Sequence, residues 1–549
     1  MLCRSVKRSM RALGSTFVIA LCLAGTTAPA LGRQANDPAV SESDISMRRE
    51  GQGPFKRIVL RNVTIVDGTG APAQGPFDVV IVDDKIAEIK SIGVPGEIDE
   101  TARVPTGDLD LDLSGDYLLP GFVDTHVHLH SLSDDQNVPS DYVLKLWLSH
   151  GVTTVRDVGS GHPIEWLKSI QKLSDTNAIV APRIQIFPFF QDIGGTMPGT
   201  PDAARAAVRD AKRRGADGVK FLGAPGDVLL AALDEAEKIG LRTAMHHGQT
   251  SVAEANVLVT SAHGLDTMEH WYGLPEAMLA EGTIQSWPTG YNNSDEAMRF
   301  GEAGRLWLQT SAPGSEQWNT VRDTLIKRNL VISPTMTAYL ASRDLMRMSR
   351  ANWHDEYTLP ALWDYYRPSR KNHGSYWFDW TSETEVAWRS TYARWMTFLN
   401  DYKNHGGVVT VGSDSGFIYN LYGFGYVQEL ELLREAGFSP LEVFKAATSD
   451  GAKALGMGDL VGTIRVGRKA DLVVVEGNPL SNLKLLYGTG TVLLDAATGK
   501  VVRKRGIKFV IKDGIVFDAE KLRQEVKAMV AAEKERRHIA SGPMPIENE

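Results

Sequence analysis

Short runs of apolar, often β-branched residues recur along the middle of the chain. Eight runs follow this pattern, at 121–130, 151–159, 183–190, 217–223, 242–248, 265–271, 330–338 and 407–416. The stretches between them, such as 202–215 and 227–240, repeat their apolar residues with the period of an α-helix. Eight alternations of strand and helix predict a (β/α)8 TIM barrel, which we place at residues 119–462.

A different pattern occupies both flanks of this region. Short β-like runs separated by turn residues fill residues 56–118, and a block of similar texture fills residues 463–518. Because both blocks have the same character, we expect them to assemble one composite β-sandwich domain beside the barrel. Residues 519–549 have the pattern of a charged helix followed by a tail.

One part of the central region is too long for a single strand–helix unit. Residues from about 285 to 400 hold nine of the 12 tryptophans, and we interpret this segment as an insertion. Its aromatic side chains are compatible with an apolar lid that admits hydrophobic acyl groups. The alternatives are that they form the core of the insertion itself or a homo-oligomer interface. The sequence leaves these alternatives open.

The beginning of the chain has the pattern of a secretory signal peptide, which we place at residues 1–30. It starts with four basic residues, Arg4, Lys7, Arg8 and Arg11. An apolar run too short to span a bilayer follows, and then the small-residue motif Ala28-Pro29-Ala30. We expect cleavage there, a flexible lead-in over 31–55 and an exported protein, periplasmic or secreted. A retained N-terminal anchor is the alternative.

Composition and charge narrow the class of partner. The net charge of −8 argues against binding to nucleic acid or to anionic lipid. Both cysteines, Cys3 and Cys22, lie in the predicted signal peptide, so the mature chain has no disulfide and no cysteine ligand. After signal cleavage we find no integral membrane segment in the sequence. We therefore expect a small-molecule partner.

Candidate metal ligands stand at the ends of the predicted strands. His126 and His128 alternate along the first strand, so both imidazoles point to one face, and His130 continues the alternation. Later runs end in further ionisable residues, namely Lys220, His246, His270 and Asp414. Since the carboxyl ends of barrel strands meet on one face, these side chains predict a metal site there.

Lys220 is unusual among such ligands, because a buried ammonium beside bound metal ions is costly. One interpretation is a surface lysine that points away from the site. The other is N-carboxylation by carbon dioxide, which converts the side chain into an anionic carbamate that bridges two metals. We expect the carbamate, because it removes the charge conflict.

The motifs PGFVDTHVHLH, GVTTVRDVG, GADGVKFL, DTMEH, GSDSG and GTIRVGRKADLVVVEGNPL together resemble the amidohydrolase superfamily. The most similar branch contains imidazolonepropionase and the metal-dependent Xaa-Pro type dipeptidases. The resemblance implies a barrel flanked by a composite β-sandwich, with two divalent ions, most often Zn²⁺. It also implies the following roles: His126 and His128 on one metal, His246 and His270 on the other, Lys220 as the bridge, and Asp414 as ligand and acid/base.

Two details of the motifs refine this resemblance. Imidazolonepropionase uses one metal and lacks the bridging lysine, so Lys220 indicates the dipeptidase-like members. His247 stands beside His246 and competes with it for the role of ligand, although His246 fits the pattern better.

The ligand set implies a reaction. Two divalent cations would lower the pKa of a bridging water and supply hydroxide, while Asp414 would carry its proton to the leaving nitrogen. We therefore expect hydrolysis of a C–N amide bond in a dipeptide or an N-acyl amino acid. The alternatives are a cyclic amide or lactone hydrolase and, from another class, a catalytically inactive scaffold, which should lack a ligand or the carboxylate.

Two further residues are candidates for substrate contact. Arg156, at the end of the second strand, either forms a buried ion pair with Asp157 that braces the barrel or lies near the substrate. Tyr339, shortly after the seventh strand, is expected to donate a hydrogen bond to a substrate carboxylate or oxyanion.

Overall fold

The structure is a computed structural model that describes residues 44–282, 284–370, 372–373, 376–542 and 544. The predicted signal peptide and the first part of the predicted lead-in lie outside the described residues. Among the helices that are described, none combines the length and the apolar character that crossing a membrane requires.

The described residues form twenty β-strands. Seven come first: β1 (Arg57–Ile65), β2 (Gln74–Val82), β3 (Lys85–Ser91), β4 (Gly93–Val94), β5 (Glu97–Ile98), β6 (Leu109–Asp112) and β7 (Asp116–Pro120). Eight parallel strands follow: β8 (Phe122–Val127), β9 (Val152–Asp157), β10 (Arg183–Ile186), β11 (Gly218–Leu222), β12 (Arg242–His246), β13 (Thr267–Glu269), β14 (Val331–Ser333) and β15 (Val408–Val409). The last five are β16 (Leu472–Glu476), β17 (Thr491–Leu494), β18 (Val501–Lys504), β19 (Ile507–Lys512) and β20 (Ile515–Asp518).

Helices connect the parallel strands and close the chain. The first seven are α1 (Ser140–Ser149), α2 (Ile164–Asp175), α3 (Pro201–Arg213), α4 (Gly226–Ile239), α5 (Val257–Ala262), α6 (Glu296–Ala303) and α7 (Glu316–Lys327). The others are α8 (Leu340–Ser349), α9 (His354–Tyr357), α10 (Pro360–Tyr366), α11 (Ser382–Asn404), α12 (Phe424–Glu435), α13 (Pro440–Lys445), α14 (Gly451–Ala454) and α15 (Ala519–Arg536).

Helix α3 illustrates how the sequence sets these boundaries. The Thr200 hydroxyl accepts a hydrogen bond from the backbone N–H of Ala203 and caps the first turn, and Pro201 occupies the position where a missing N–H costs nothing. Ala204, Val208 and Ala211 recur at helical spacing and are the buried face. The helix is therefore amphipathic and covers the strands beneath it.

The eight parallel strands form the centre of the structure. β8, β9 and β10 make one sheet, and β11 to β15 make a second sheet in chain order. Backbone hydrogen bonds also join the outer edges of the two sheets: Lys220 donates to Pro188 over 3.0 Å, and Thr125 donates to Val411 over 2.9 Å. Each of the eight apolar runs in the sequence contains one of these strands, so the α/β content that the pattern predicts is present.

A separate eight-stranded sheet takes its strands from both ends of the chain. Its order is β20-β19-β16-β7-β1-β2-β3, with β6 paired to β1. The two ends meet where β16 lies antiparallel to β7, with Val474 opposite Leu118. β4 pairs with β5 and β17 with β18 in two separate two-stranded sheets. The second layer of the predicted sandwich stays a prediction, as do the domain boundaries.

The aromatic-rich segment at about 285–400 is divided by a central strand. β14 lies inside it, so its helices belong to two connections, one before β14 and one after it. Most of its tryptophans are buried, including Trp307, Trp318, Trp388 and Trp395, and they pack in the same hydrophobic core as the parallel strands. The segment therefore forms part of the core of the molecule.

Candidate functional site

All six predicted site residues line one cavity at the carboxyl ends of the parallel strands. The cavity has a volume of about 440 Å³, within the range of small-molecule sites. The six residues come from five different strand ends: His126 and His128 from β8, Lys220 from β11, His246 from β12, His270 after β13, and Asp414 after β15. Tyr339 lines the same cavity.

The carboxylate of Asp414 lies between the imidazoles. One of its oxygens is 3.1 Å from Nε2 of His128 and 3.7 Å from Nε2 of His126, and the other is 3.8 Å from Nδ1 of His270. Potential ligand atoms of His126, His270 and Asp414 all lie within 4.8 Å of one another. This is the spacing of groups that share one ion.

Hydrogen bonds fix the orientation of the two histidines on β8. Nδ1 of His126 is 2.5 Å from Oε2 of Glu269, and Nδ1 of His128 donates to the carbonyl of Gly159 over 2.8 Å. With Nδ1 engaged, each ring turns its Nε2 atom toward Asp414, which is the usual arrangement of a metal-ligating histidine. Burial lowers the pKa of His126, which keeps that imidazole neutral and able to bind a cation.

His246 and His247, neighbours at the end of β12, point in different directions. The ring of His246 lies 4.7 Å from that of His270, and burial lowers the pKa of His246 to about 3. His247 points elsewhere, because its Nε2 atom lies 2.9 Å from the hydroxyl of Thr260. Of the two, His246 is the residue that faces the cavity.

Lys220 is buried and its amine has no hydrogen-bond partner among the described residues. Burial lowers the pKa of the amine to about 8, against the attraction of Glu269. A buried polar atom without a partner requires an explanation, since such atoms are rare in folded proteins.

The charge state of Asp414 follows from its neighbours. Burial by itself raises the pKa of this carboxyl, but the imidazoles of His126 and His128 lower it well below its ordinary value. Asp414 is therefore ionised and can accept a proton or a cation.

Arg156 lies behind the histidines and is not among the described residues that line the cavity. Its guanidinium donates to Oε1 of Glu269 over 2.6 Å and to the carbonyl of Thr125 over 2.6 Å. The partner of this buried ion pair is thus Glu269 and not Asp157, which instead accepts the backbone N–H of Leu129. Its place in the structure is that of a brace.

Several residues of the site escape sequence reasoning. Glu269 bridges His126 and Arg156, and its only sequence signal is that it directly precedes His270. Asp124 accepts the backbone N–H groups of Ser413 and His126, and burial raises its pKa to about 7. These carboxyl groups hold the ligands from behind.

Three non-glycine residues that line the cavity have left-handed backbone conformations, with φ angles of 58° at His270, 46° at Asp414 and 50° at Ile418. Thr335, whose hydroxyl contacts His270, has a φ of 47°. A β-branched residue such as threonine is strongly disfavoured there. Strain of this kind collects at functional sites, where the surrounding structure must hold it in place.

The outer wall of the cavity is aromatic. It is formed by Tyr272, Phe300, Tyr339 and Tyr376. Phe300 stacks on Tyr376 with ring centroids 4.1 Å apart, and Tyr339 lies 5.7 Å from the ring of His270. Arg299, on α6, adds a cation to this wall. We call these five residues the aromatic wall.

A family model described as the amidohydrolase family matches residues 117–301 and 393–516, more than half of the chain. The stretch between the two matched parts, 302–392, contains β14 and much of the aromatic-rich segment. The match therefore covers every predicted metal ligand and three of the five residues of the aromatic wall, Tyr272, Arg299 and Phe300.

Curated relatives match over shorter stretches. The dihydroorotase of Thermoanaerobacter sp. (strain X514) is 29% identical over 121 residues, 21% of this chain and 25% of that protein. The imidazolonepropionase of Bacillus cytotoxicus is 39% identical over 70 residues, 13% of this chain and 16% of that protein. The chain spans less than half the length of each of these curated relatives.

Among solved structures, a Xaa-Pro dipeptidase with methionine bound in its active site is similar over most of the chain. The TM-score is 0.56 at 16% identity, covering 84% of this chain and 100% of that one. At this identity the likeness shows the fold. With the family match and the relatives above, it confirms the resemblance that the motifs predict.

Proposed function

The chain belongs to the amidohydrolase family, and on that premise we propose that it is a metal-dependent hydrolase that cleaves the C–N bond of an amide in a dipeptide or an N-acyl amino acid. Family membership supports hydrolysis of carbon–nitrogen bonds as the class of reaction. The finer proposal rests on one observation, the set of side chains that line the same cavity. Four imidazoles and the ionised carboxylate of Asp414 lie there together with the unpartnered amine of Lys220; the imidazoles are those of His126, His128, His246 and His270.

The donor set fits a pair of divalent cations. Neutral imidazole nitrogens and anionic oxygens are the ligands that Zn²⁺ prefers, although Mn²⁺ and Co²⁺ also bind such sets. His126 and His128 would hold one ion and His246 and His270 the other, with Asp414 as a further ligand. Ions bound there would supply Lewis acidity and lower the pKa of a bound water.

We propose that Lys220 is N-carboxylated. Its buried amine is held close to the neutral form, and a neutral amine adds to carbon dioxide with loss of one proton, giving a carbamate. The product is an anion with two oxygens at the point where the amine now lacks a partner. It would remove the unsatisfied atom and bridge the two ions.

Asp414 is the proposed general acid and base. Because the imidazoles hold its carboxylate in the ionised form, it can take a proton from the attacking water. The same carboxyl group then delivers that proton to the nitrogen that leaves.

The aromatic wall supports a substrate with a flat or apolar group next to the scissile amide. The Tyr339 ring lies beside His270, in a position to donate a hydrogen bond to a substrate oxygen. Arg299 uses two of its donors on the carbonyl of Asn293 and on Glu296, and a guanidinium has five. We propose that the remaining donors receive the substrate carboxylate in place of the predicted Arg156. The similarity to a Xaa-Pro dipeptidase favours such a substrate.

Three further proposals complete this interpretation. The hydrogen bonds at both outer edges of the parallel sheets support their closure into a (β/α)8 barrel. We propose the eight-stranded sheet as the main layer of a composite β-sandwich. We also propose that residues 1–30 direct export to the periplasm or the medium, on the sequence pattern described above.

The test is elemental analysis of the purified full chain together with a substrate panel. We expect about two Zn²⁺ per chain, and hydrolysis of dipeptides or N-acyl amino acids that is lost on chelation and restored by Zn²⁺. The panel includes cyclic amides and lactones, and turnover of these alone would overturn the acyclic substrate class. Tight metal binding without turnover of any amide or ester would instead indicate an inactive scaffold.

A further inference from the structure

We propose that Thr335 and Glu429 are positioning residues that set the imidazole of His270 for metal binding. The inference rests on the proposed function, because it assumes that His270 is a ligand. Neither residue lines the cavity among the described residues, and neither belongs to the motifs that indicate the family.

The hydroxyl of Thr335 determines which nitrogen of His270 carries the proton. It lies within hydrogen-bond distance of Nδ1 of His270 and of the carbonyl of Pro334, the latter at 2.8 Å. A hydroxyl has one proton, and a carbonyl can only accept, so the proton of Thr335 goes to Pro334. Nδ1 of His270 must then donate to Thr335. This assignment leaves Nε2 unprotonated, which is the form that binds a cation.

Thr335 makes this bond from a conformation that a threonine rarely adopts. Its φ of 47° lies in the left-handed region, where the branched side chain meets its own backbone. A glycine or an asparagine would adopt it more easily, but a glycine lacks the hydroxyl. The residue type at this position therefore suits the hydrogen bond to His270 and not the backbone.

Glu429 holds the chain in that conformation from the other side. Its carboxyl group accepts the backbone N–H of Met336 over 2.9 Å and of Thr337 over 2.8 Å, one on each oxygen. The Thr337 hydroxyl adds a third bond to it over 3.0 Å. Glu429 lies on α12, is fully buried, and has no salt bridge with a basic side chain among the described ion pairs.

Burying a carboxyl group is costly, and a packed apolar side chain would stabilise the core more cheaply. Glu429 is nevertheless directed at the two residues that directly follow Thr335. It thus links α12, the helix that follows the loop of Asp414, to the loop that supports His270. Glu429 thus anchors the two residues that directly follow left-handed Thr335.

The experiment measures the affinity of the purified full chain for Zn²⁺ by competition with a chelator, and the visible absorption of the Co²⁺ form. Thr335→Val removes the hydroxyl and keeps the shape, and we expect metal affinity to fall about 10–100-fold, as when a group supporting a metal-bound histidine is lost. Thr335→Ser keeps the hydroxyl and should retain the affinity and the Co²⁺ spectrum.

Glu429→Gln replaces one acceptor oxygen with an amide nitrogen, and we expect a loss of similar size. The loss in the double variant with Thr335→Val should be clearly smaller than the product of the two single losses, because both act through His270. Thr337→Val is the matched control: it removes one bond to Glu429 but leaves both backbone bonds and Thr335 in place. It should change the affinity least.

The outcomes separate the inference from the proposed function. If the unsubstituted chain binds no Zn²⁺, the proposed function fails. If it binds Zn²⁺ and Thr335→Val binds equally well with an unchanged Co²⁺ spectrum, only the positioning role is overturned. If Glu429→Gln does not fold, as circular dichroism would reveal, the comparison of Thr335→Val with Thr335→Ser still decides the role of Thr335.

Discussion

The floor and the outer wall of the cavity are built in different ways. The floor consists of the six predicted site residues at the ends of buried parallel strands, and buried carboxyl groups such as those of Glu269 and Asp124 hold part of it by hydrogen bonds. The wall consists of aromatic rings and Arg299 from the long connections on either side of β14. The family match covers the floor and also Tyr272, Arg299 and Phe300 of the wall, whereas Tyr339 and Tyr376 lie in the unmatched stretch 302–392. On the proposed function, we expect the floor to carry the chemistry and the wall to set the selectivity.

The largest effect is expected when Asp414, the proposed acid/base on the floor, loses its carboxylate. Asp414→Asn keeps the size of the side chain but cannot take up the proton, so we expect kcat to fall about 10²–10⁴-fold. The loss should be the same for substrates with aromatic and with aliphatic side chains, because the wall is unchanged. Steady-state kinetics at matched metal content measures it. A loss confined to one substrate type would contradict the division into floor and wall.

The second test concerns the bridge on the floor. Lys220→Ala removes the proposed carbamate, and we expect metal affinity to fall by at least about 10–100-fold, since even the loss of a supporting group has that effect. Elemental analysis of protein grown with and without bicarbonate measures this. Lys238→Ala, at an exposed lysine of α4, is the matched control and should keep its full metal content. Equal metal content in both variants would remove the carbamate from the site.

The third test moves to the wall. Arg299→Met removes the cation and keeps much of the apolar stem, so we expect about a tenfold or greater rise in KM for substrates with a free carboxylate, from the loss of charged hydrogen bonds. The corresponding amides should be affected much less, and metal content should not change. Arg305→Met is the control, because Arg305 follows α6 but pairs with Glu383 and does not line the cavity among the described residues. An equal effect on charged and neutral substrates would place the carboxylate elsewhere.

The smallest expected effect is a pH dependence of the free energy of unfolding that arises from Glu429, a buried residue behind the floor of the cavity. Burial raises the pKa of Glu429 to about 8 from an ordinary value of 4.5, against the bonds from Met336 and Thr337. The folded state thus favours the protonated carboxyl, and its contribution is fully present below pH 4.5 and is lost as the pH rises toward 8.

Glu429→Gln cannot ionise and should lack this dependence. As the pH rises from 5 to 8, the free energy of unfolding of the unsubstituted chain should therefore fall relative to that of Glu429→Gln. Urea unfolding of the metal-free proteins measures it. Asp124, whose pKa burial raises to about 7, contributes in the same direction, and its charge also raises the pKa of Glu429 in the unsubstituted chain. A difference that does not vary with pH would mean that Glu429 ionises normally in the fold.

The floor could be predicted from the sequence because it is tied to a repeating pattern. Each ligand stands at the end of an apolar run, and parallel strands bring such ends together whatever the loops do. His126, Lys220 and Asp414 meet in the structure for this reason. The eight runs were enough to place the strands, and the motifs within them indicated the family.

The wall and the supporting groups could not be predicted in this way. Glu429 is 92 residues from Thr337, and no local pattern indicates that they touch. Tryptophan content sets the bounds of the aromatic-rich segment at about 285–400, and the apolar run at 330–338 marks β14 inside it, but neither pattern shows which side chains of the two connections line the cavity. Arg156 stands at a strand end like a ligand, yet its side chain extends to Glu269, because that buried carboxylate lies within reach.

The shared sheet has a consequence for how the chain comes to be folded. β7 is paired on one side by β1 and on the other by β16, and β16 begins at Leu472. During synthesis from the N-terminus, one edge of β7 stays unpaired until β16 has emerged. Unpaired strand edges invite pairing with other chains, so a partly synthesised chain is exposed to such pairing. The sheet is thus complete only after its last strands have been made. A chain that ends before β16 would keep an unpaired edge on β7 and would be prone to aggregation.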